Sequence, residues 1–396
     1  MTATTRRHAV ERPATVAETA AVLRDSAGTV LVRGGGTKLD WAGRVPDPDL
    51  VLDTTGLAGL LAHNPGDMTA WVRAGTTLTE LQEYLAGSGQ WLALDPPTAG
   101  VAATLGGLLA AGDSGPSRLR YGGLRDHVIG VTLVLADGTV ARSGGHVIKN
   151  VAGYDLAKLA YGSLGSLAVV AEVVLRLHPR PATSLTVAGP ANAEQATAAA
   201  LALAASPSEP AAVEWLSSGE ATLLVRVDGT PASVQASGTR LVALLAGFGI
   251  DAATLPAADA ATAWADHAAG VRGGLGETVV RVAGLPGDLA ALAGHAADAA
   301  GRAGVGMHLV SSAGLGLHTV RLHGGSAPAH AQVLAVIRGY ARTRGASVLL
   351  RSRCPALDDL VDALGPPPST AALLRSVKAQ LDPAGRLAPG RFQPWF

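Results

Sequence analysis

The stretch Arg33-Gly34-Gly35-Gly36-Thr37-Lys38 follows a short apolar run, residues 29–33, that predicts a β-strand. Three consecutive glycines allow the backbone to adopt positive φ and let a ligand approach its N–H groups closely. Successive N–H groups in such a turn form a concave anion site suited to a pyrophosphate, and the Thr37 hydroxyl adds a donor. A plain tight loop after a strand explains the stretch equally well. It matches neither a Walker A loop nor a G-x-G-x-x-G fingerprint, which argues against P-loop and Rossmann folds.

Two further clusters of small residues lie in the first half of the chain. Ala103-Thr104-Leu105-Gly106-Gly107 is followed by Gly112 and Ser114, and Gly162-Ser163-Leu164-Gly165-Ser166 leads into a predicted strand. A single glycine-rich loop is common in proteins of many functions. Three of them in one half of the chain predict a single extended ligand that several loops contact.

Hydrophobic periodicity predicts helices and strands along the whole chain. Thr15 and Glu18 have capping-box spacing at the start of a helix over 15–26. Two β-rich runs within 128–142 flank Asp137-Gly138, which predicts a hairpin with a two-residue turn at positive φ. Further strands are predicted at 50–53, 69–74, 168–177, 212–217, 221–228, 277–282, 307–311, 317–323 and 347–351. Further helices are predicted at 78–87, 106–111, 153–161, 231–247, 285–302, 328–344 and 370–381, with helix or loop at 193–205 and 257–269.

Composition narrows the class of protein. The chain has 396 residues, 48% of them hydrophobic, and its 31 Lys and Arg balance 31 Asp and Glu. A neutral chain has no long-range field to attract nucleic acid, so no nucleic-acid partner is expected. The one cysteine, Cys354, cannot build a disulfide, a zinc site or an iron–sulfur cluster within the chain, as expected for a cytoplasmic protein. Neither a secretory signal nor an apolar run of the ~20 residues that span a membrane is expected.

The ordered set of motifs resembles the vanillyl-alcohol oxidase / p-cresol methylhydroxylase (PCMH) family of FAD-binding domains. Within that family it is most similar to the FAD-binding subunits of glycolate-oxidase-type complexes. The resemblance is strong over residues 1–181 and moderate over the last part of the chain. It runs through Val32-Arg33-Gly34-Gly35-Gly36-Thr37, Thr104-Leu105-Gly106-Gly107, Ser114-Gly115-Pro116, Tyr121-Gly122-Gly123-Leu124-Arg125-Asp126, Lys149-Asn150-Val151-Ala152-Gly153-Tyr154-Asp155-Leu156, Gly162 to Glu172, Asp382-Pro383-Ala384-Gly385 and Pro389-Gly390-Arg391.

The resemblance implies an α+β fold of three parts. A PCMH-type FAD-binding domain of two subdomains is expected at 1–181, and an α+β, ferredoxin-like cap domain at 182–352. A C-terminal helix and tail at 353–396 are expected to return to the FAD domain.

The resemblance also implies which residues bind the cofactor. Residues 33–38 would wrap the FAD pyrophosphate, 104–107 and Ser114 would line the flavin and ribityl region, and Val169 or Val170 would offer backbone contacts. The full expected set is Arg33, Gly34, Gly35, Gly36, Thr37, Lys38, Pro97, Thr104, Leu105, Gly106, Gly107, Gly112, Ser114, Tyr121, Gly122, Gly165, Val169, Val170 and Glu172.

Three positions depart from the family pattern. The usual glycine is Ala168, the usual acidic residue of that loop is Leu164, and the usual asparagine before Pro-Gly is Ala388. Covalent flavin attachment is not expected, because the loop carries Thr37 where relatives use a histidine, and Cys354 lies outside the motifs. The histidines nearest to the motifs are His127 and His146.

No metal site and no catalytic base are assigned from the sequence. His318 and His323 are five apart on a predicted strand and therefore face opposite sides, and His308 lies on another strand. Three arginines, at 351, 353 and 375, are candidates for binding a substrate carboxylate, although solvated or paired arginines have the same pattern.

By resemblance, the chain is an FAD-binding subunit of a 2-hydroxy-acid (glycolate) oxidase or dehydrogenase complex. It would work with a sister flavoprotein subunit and an iron–sulfur subunit, in the cytoplasm, with any membrane association through those partners. Two alternatives remain open. One is a free-standing FAD-dependent alcohol or hydroxy-acid oxidoreductase, and the other is a non-catalytic flavoprotein scaffold.

Overall fold

The computed structural model describes residues 9–97, 100, 102–145 and 153–396. The chain begins with a three-stranded parallel sheet of β1 (Ala9–Glu11), β2 (Val30–Arg33) and β3 (Leu50–Asp53), in the order β1-β3-β2. Parallel strands need a crossover, and helix α1 (Val16–Asp25) supplies the first one. Thr15 caps this helix as predicted, its Oγ1 accepting the Glu18 N–H at 3.1 Å.

A five-stranded antiparallel sheet of order β4-β5-β9-β7-β8 follows, and β6 pairs with β10 beside it. Helix α2, predicted at 78–87, begins at a complete capping box of Thr77 and Glu80. In chain order the elements are β4 (Leu60–Asn64), β5 (Thr69–Arg73), α2 (Leu78–Ala86), β6 (Gln90–Trp91), α3 (Leu105–Ala111), α4 (Arg118–Tyr121), α5 (Leu124–His127), β7 (Val128–Val134), β8 (Val140–Gly144), α6 (Leu156–Ala160), β9 (Val169–Arg176) and β10 (His178–Pro179).

The β7–β8 hairpin differs from the sequence prediction at its turn. The Leu135 N–H donates to the Thr139 carbonyl, so the loop contains three residues and not two. Gly138 alone takes positive φ, at 84°, while the Asp137 carboxylate accepts the Thr139 N–H. A type I turn closed by a left-handed glycine explains this geometry, and it places Asp137 at ordinary φ.

Strand β9 joins the two N-terminal sheets. Val169 and Ala171 pack in one core with Leu23 and Leu52, from α1 and β3. Val170, together with its neighbours Ala168 and Val173, packs in the other core, against α2 and α3. Because alternate side chains of one strand serve both cores, β9 fixes how the parallel and antiparallel sheets face each other.

Residues from 183 to 352 form one eight-stranded sheet of order β14-β11-β13-β12-β16-β17-β15-β18. Along the chain, the elements of this sheet form two consecutive βαββαβ units. The two units join where β12, the edge strand of the first, pairs with β16, the edge strand of the second. The helices that cover the sheet share one large core of buried Leu, Val and Ala side chains with it. The elements are β11 (Thr183–Pro190), α7 (Ala193–Ala204), β12 (Ala212–Leu216), β13 (Thr222–Gly229), α8 (Pro231–Ala246), β14 (Ala253–Thr254), α9 (Ala257–Arg272), β15 (Thr278–Ala283), α10 (Leu289–Ala303), β16 (Gly306–Ser312), β17 (Leu317–His323), α11 (Ala327–Thr343) and β18 (Ser347–Ser352).

The C-terminal segment returns to the first sheet. After α12 (Ala371–Leu381), the Val30 N–H donates to the Arg386 carbonyl and the Ala388 N–H donates to the Val30 carbonyl, both at 2.8 Å. The tail thus lies beside β2, the strand that leads into the glycine turn. Trp395 also docks on the body, its Nε1 donating to the Gly365 carbonyl at 3.1 Å. Among the residues described, no helix is long and apolar enough to cross a membrane.

Candidate functional site

The three small-residue clusters of the N-terminal half meet at one open cleft. They reach it from different elements: the loop after β2, the start of α3, and the loop that leads into β9. The C-terminal tail closes one side through Arg391. The lining is Val32, Gly34, Gly35, Gly36, Thr37, Lys38, Leu39, Thr54, Thr104, Gly106, Gly107, Ala110, Ala111, Leu164, Gly165, Ala168, Val170 and Arg391.

The glycine turn lies so close to the start of α3 that side chains do not fit. A Cβ on Gly35 would overlap the carbonyl oxygen of Ala102, and a Cβ on Gly34 would overlap the hydroxyl of Thr104. Thr104 is itself held, because its Oγ1 caps α3 by accepting the Gly107 N–H at 3.2 Å. Each glycine has its own reason: Gly34 admits the Thr104 side chain, Gly35 admits the Ala102 backbone, and Gly36, at φ 73°, turns the chain.

The third wall of the cleft carries a residue in an unusual conformation. Leu164 has φ 51° and Gly165 has φ 75°. A left-handed conformation is unfavourable for leucine, by about 1–2 kcal/mol, so its surroundings must hold it. They do so through α3, since the Leu164 N–H donates to the Ala110 carbonyl at 2.7 Å and the Gly162 N–H to the Leu109 carbonyl at 3.1 Å.

The free donors of the cleft suit a phosphate-bearing ligand. Within the described residues, the N–H groups of Gly36, Thr37 and Lys38 donate no hydrogen bond. Unsatisfied backbone donors that line an open cleft form an anion site. The opposite wall is formed by small apolar residues such as Ala110 and Gly106, which leaves room for a planar ring system. The residues present therefore fit a ligand that has both a pyrophosphate and an aromatic ring system.

A buried chain of charges leads from this cleft toward the eight-stranded sheet. The Lys38 ammonium lies 3.3 Å from one oxygen of Asp113, and Arg351 lies 3.6 Å from the other. Burial lowers the pKa of Lys38, and the Asp113 carboxylate opposes that shift. Burial, together with the charge of Arg281, lowers the pKa of Arg351 to about 9. The Arg351 guanidinium also stacks over Trp41, 4.0 Å from the ring centroid.

This chain of charges ends at a second, smaller cavity between the N-terminal half and the eight-stranded sheet. One wall comes from the loop 114–116, and the other from strands β12, β15, β16, β17 and β18 with helix α9. Glu214 and His267 form a buried pair in this wall, with His267 Nε2 2.8 Å from the carboxylate. The lining is Pro97, Ser114, Gly115, Pro116, Glu214, His267, Val271, Arg281, Val310, Ser312, Leu317, Thr319 and Arg351.

The predicted cofactor residues fall into three groups. The first group lines the cleft and contains Gly34, Gly35, Gly36, Thr37, Lys38, Thr104, Gly106, Gly107, Gly165 and Val170. Pro97 and Ser114 line the second cavity. The other seven residues lie elsewhere. Arg33 pairs with Asp53 at 3.1 Å, Tyr121 packs on Trp91, and Glu172 accepts a hydrogen bond from Thr132. Leu105 and Val169 are buried in cores, Gly112 ends α3 and Gly122 follows α4.

Glu214 and Arg281, two charged residues of the second cavity, were missed by sequence reasoning. Glu214, Arg281 and Arg351 each lie inside an otherwise apolar strand, as in Thr-Val-Val-Arg-Val over 278–282. A charged residue at an inward position of a buried strand is rare unless it is paired or functional. That signal was present in the sequence and would have identified Arg281 and Glu214 as candidates. Arg351 was proposed only as one of three arginines.

The histidines considered in the sequence lie apart from the cleft. His308 and His323 stack on each other, with ring centroids 4.9 Å apart, and His318 is buried with its Nδ1 2.9 Å from the Ser311 hydroxyl. His127 is buried against His178, and burial lowers its pKa to about 4. Within the described residues, no group of three or more His, Cys, Asp or Glu side chains is placed to hold a metal ion. His146 and the segment 149–152 lie outside the described residues.

Of the three arginines considered for a carboxylate, Arg353 is already engaged by other groups of the chain and Arg375 lies away from the cleft. Arg353 pairs with Asp358 at 2.5 Å and donates to the Asp40 carbonyl at 2.8 Å, which ties the end of β18 to the loop after the glycine turn. Arg375 is exposed on α12, beside a surface groove. Arg351 alone reaches the second cavity.

Comparison with known proteins confirms the predicted cofactor domain. Residues 8–144 match the FAD binding domain family. Glycolate oxidase subunit GlcE of Escherichia coli (strain K12) is 34% identical over 209 residues, which cover 53% of this chain and 59% of that protein. Glycolate oxidase subunit GlcD of Bacillus subtilis (strain 168) is 34% identical over 212 residues, or 52% and 44%. A D-lactate dehydrogenase of Archaeoglobus fulgidus is 34% identical over 174 residues, or 43% and 39%.

The chain thus spans between 39% and 59% of the length of these relatives. Solved structures extend the likeness to nearly the whole fold. A p-cresol methylhydroxylase with substrate bound has a TM-score of 0.75 at 16% identity, covering 96% of this chain and 88% of that one. An alkyldihydroxyacetonephosphate synthase has a TM-score of 0.69 at 17% identity, covering 96% and 75%. The mixed helix and strand fold is therefore similar to that of PCMH-type FAD-binding proteins.

Proposed function

From an FAD-binding domain at residues 8–144 and relatives that are flavin-linked oxidoreductases, we propose that this chain binds FAD non-covalently in the cleft and takes part in the oxidation of a small 2-hydroxy acid. The single observation that carries the proposal is the convergence of three separated backbone turns on one cleft. Bound flavin supplies the redox chemistry, accepting a hydride equivalent from the substrate, while the protein binds and orients both.

The cleft residues divide the work of holding the cofactor. The turn over 34–38 offers free N–H groups and the Thr37 hydroxyl to the pyrophosphate. Gly106 and Gly107 would leave space for the ribityl chain and the ring system of the flavin, and Gly165 with Val170 would contribute to the wall around them. Seven residues predicted by resemblance do not line the cleft: Arg33, Leu105, Gly112, Tyr121, Gly122, Val169 and Glu172.

Non-covalent binding is supported by the residue types that face the cleft. Its lining carries Thr37 and neither cysteine nor histidine in the part of the chain that is described. Cys354 lies after β18, and His127 is buried against His178. A covalent bond to the flavin needs a nucleophile beside the ring, so dissociation of FAD on denaturation is expected.

The eight-stranded sheet would act as the cap over the flavin. Each βαββαβ unit has the strand order of a ferredoxin-like fold, and the two units together close the second cavity against Ser114 and Pro97. The domain division that we propose is 1–181, 182–352 and 353–396. The second cavity is where a small substrate would meet the ring edge of a flavin held in the cleft.

We further propose that the working enzyme is a complex with a sister flavoprotein subunit and an iron–sulfur subunit. The match to glycolate oxidase subunits supports an assembly, and the chain covers only part of those relatives. With a single cysteine, this chain cannot bind an iron–sulfur cluster alone, so electrons would leave the flavin to a partner. A cytoplasmic location, with membrane association through partners, is consistent with this arrangement.

Absorbance near 450 nm tests the proposal. We expect the purified chain to be yellow, the colour to leave the pellet on acid precipitation, and the band to bleach when glycolate or D-lactate is added, either to the chain or to its complex. Bleaching by the isolated chain with other alcohols would favour a free-standing oxidase. A yellow chain that no hydroxy acid bleaches, even in its complex, would favour a scaffold role, and a colourless chain that gains no flavin when FAD is added would contradict the proposal.

A further inference from the structure

Arg281 lies in the wall of the second cavity without a partner. Its side chain is half-buried on β15, and within the described residues it donates no hydrogen bond and forms no ion pair. A guanidinium has five N–H donors in a fixed fork, and it is rarely left unpaired in an enclosed site. The free fork of Arg281 therefore points to a ligand that is missing from the protein itself.

The surrounding charges strengthen this reading. Lys38 and Arg351 both contact Asp113, and the same carboxylate is the main negative group acting on Arg281. Three cations therefore face one carboxylate on this side of the cavity. The Nε and Nη2 atoms of Arg351 are also buried without a hydrogen bond among the described residues. Uncompensated charge in a site of low polarity is costly, and an anion in the cavity would offset that cost.

The opposite wall is polar, and the acidic residue that it contributes to the lining, Glu214, also acts on Arg281 through its charge. Glu214 is already engaged by His267, at 2.8 Å, and by the Ser312 hydroxyl, at 3.0 Å. Because Nε2 of His267 is engaged by the Glu214 carboxylate, Nδ1 is the ring nitrogen that remains for a ligand. Thr319 adds a further hydroxyl to this wall. The wall therefore offers hydrogen-bonding groups suited to a hydroxyl, whereas the Arg281 side suits a carboxylate.

We propose that the second cavity is a carboxylate-binding site in which Arg281 anchors the carboxylate of a small 2-hydroxy acid and the wall at His267 meets its hydroxyl. The inference rests on the proposed function, because it places the substrate of that reaction. The cavity is small and its walls are formed by side chains from both halves of the chain, which favours short acids such as glycolate or lactate over long-chain ones. Arg351 is a supporting cation here, and its stacking on Trp41 fixes its guanidinium.

The test measures binding without turnover. Titration calorimetry of the FAD-loaded protein under anaerobic conditions uses glycolate, D-lactate and acetate as probes. We expect glycolate and D-lactate to bind more tightly than acetate, and Arg281→Met to weaken glycolate binding by about 10- to 100-fold, the effect of a lost charge-assisted bidentate bond. Arg240→Met is the matched control, because Arg240 is exposed on α8, and it should bind glycolate as the wild type does.

Arg281→Lys keeps the positive charge without the fork, so it should fold even where the methionine variant does not, and should show an intermediate loss. Unchanged glycolate affinity in Arg281→Met or in Arg281→Lys would overturn the proposal, as would a wild-type protein that binds none of the acids. Equal affinity for acetate and glycolate would overturn the assignment of a hydroxy acid. If a protein that binds no flavin still binds glycolate through Arg281, the carboxylate site is supported and the proposed function is contradicted.

Discussion

Gly35→Ala should abolish stable FAD binding. The added methyl group would overlap the carbonyl oxygen and carbon of Ala102, which are backbone atoms and cannot rotate away. The glycine turn would have to move out of its place beside Thr104, and the N–H groups of Gly36 and Thr37 would move with it. Overpacking of this kind costs about 1–3 kcal/mol or more, which corresponds to a loss of FAD affinity of at least about 10- to 100-fold.

The measurement is titration of apo-protein with FAD, followed by flavin fluorescence. Gly87→Ala is the matched control, because Gly87 ends α2 at φ −60° and has open space where a Cβ would lie. That variant should bind FAD as the wild type does. Wild-type affinity in a folded Gly35→Ala protein would show that the turn does not grip the cofactor.

Arg386→Met should be strongly destabilising, by about 3 kcal/mol or more. Arg386 donates to the carbonyl oxygens of Leu23, Ser26, Gly28 and Ala136 at 2.7–3.0 Å. One side chain of the C-terminal tail thus satisfies acceptors at the end of α1, in the loop that follows it and at the β7–β8 turn. Hydrogen bonds from a charged donor contribute about 1.5–3 kcal/mol each, and the acceptors left behind would lose their partners together.

Urea unfolding, followed by circular dichroism, measures this effect. Arg386→Lys should lose about half as much stability, because an ammonium keeps the charge but reaches fewer of the carbonyls. Arg375→Met, on the exposed face of α12, should change stability by less than about 0.5 kcal/mol. An Arg386→Met protein as stable as the Arg375→Met control would mean that the tail is not fastened to the first sheet by this residue.

Much of the secondary structure followed from local signals. The caps at Thr15 and Thr77 and the apolar periodicity of α10 and α11 fixed helix positions to within a few residues. Strand β11 (Thr183–Pro190) was missed, because the neighbouring prolines indicated a boundary and its alternation of polar and small residues is weak. Helix α6 is shorter than predicted. The hairpin turn has one residue more than predicted, because the sequence indicates the position of a turn better than it indicates which residues form the last hydrogen bond between the strands.

The site was predictable in part. Clusters of glycine are visible in the sequence, so the turn at 34–36 and the start of α3 were predicted as parts of the site. Residues that line the cleft only because the chain returns there, such as Thr54 and Arg391, have no local signature. The cavity at Arg281 depends on how two sheets face each other, a long-range property that one sequence does not reveal.

The central claim is that three separated turns grip one FAD molecule. Hydrogen–deuterium exchange of the apo and FAD-loaded protein tests it directly, because the donors concerned are backbone N–H groups. Added FAD should slow exchange together in segments 34–38, 104–107 and 162–170, with little change in the helices α8 and α11. Protection confined to one of these segments, or located in the eight-stranded sheet alone, would contradict a shared cofactor cleft.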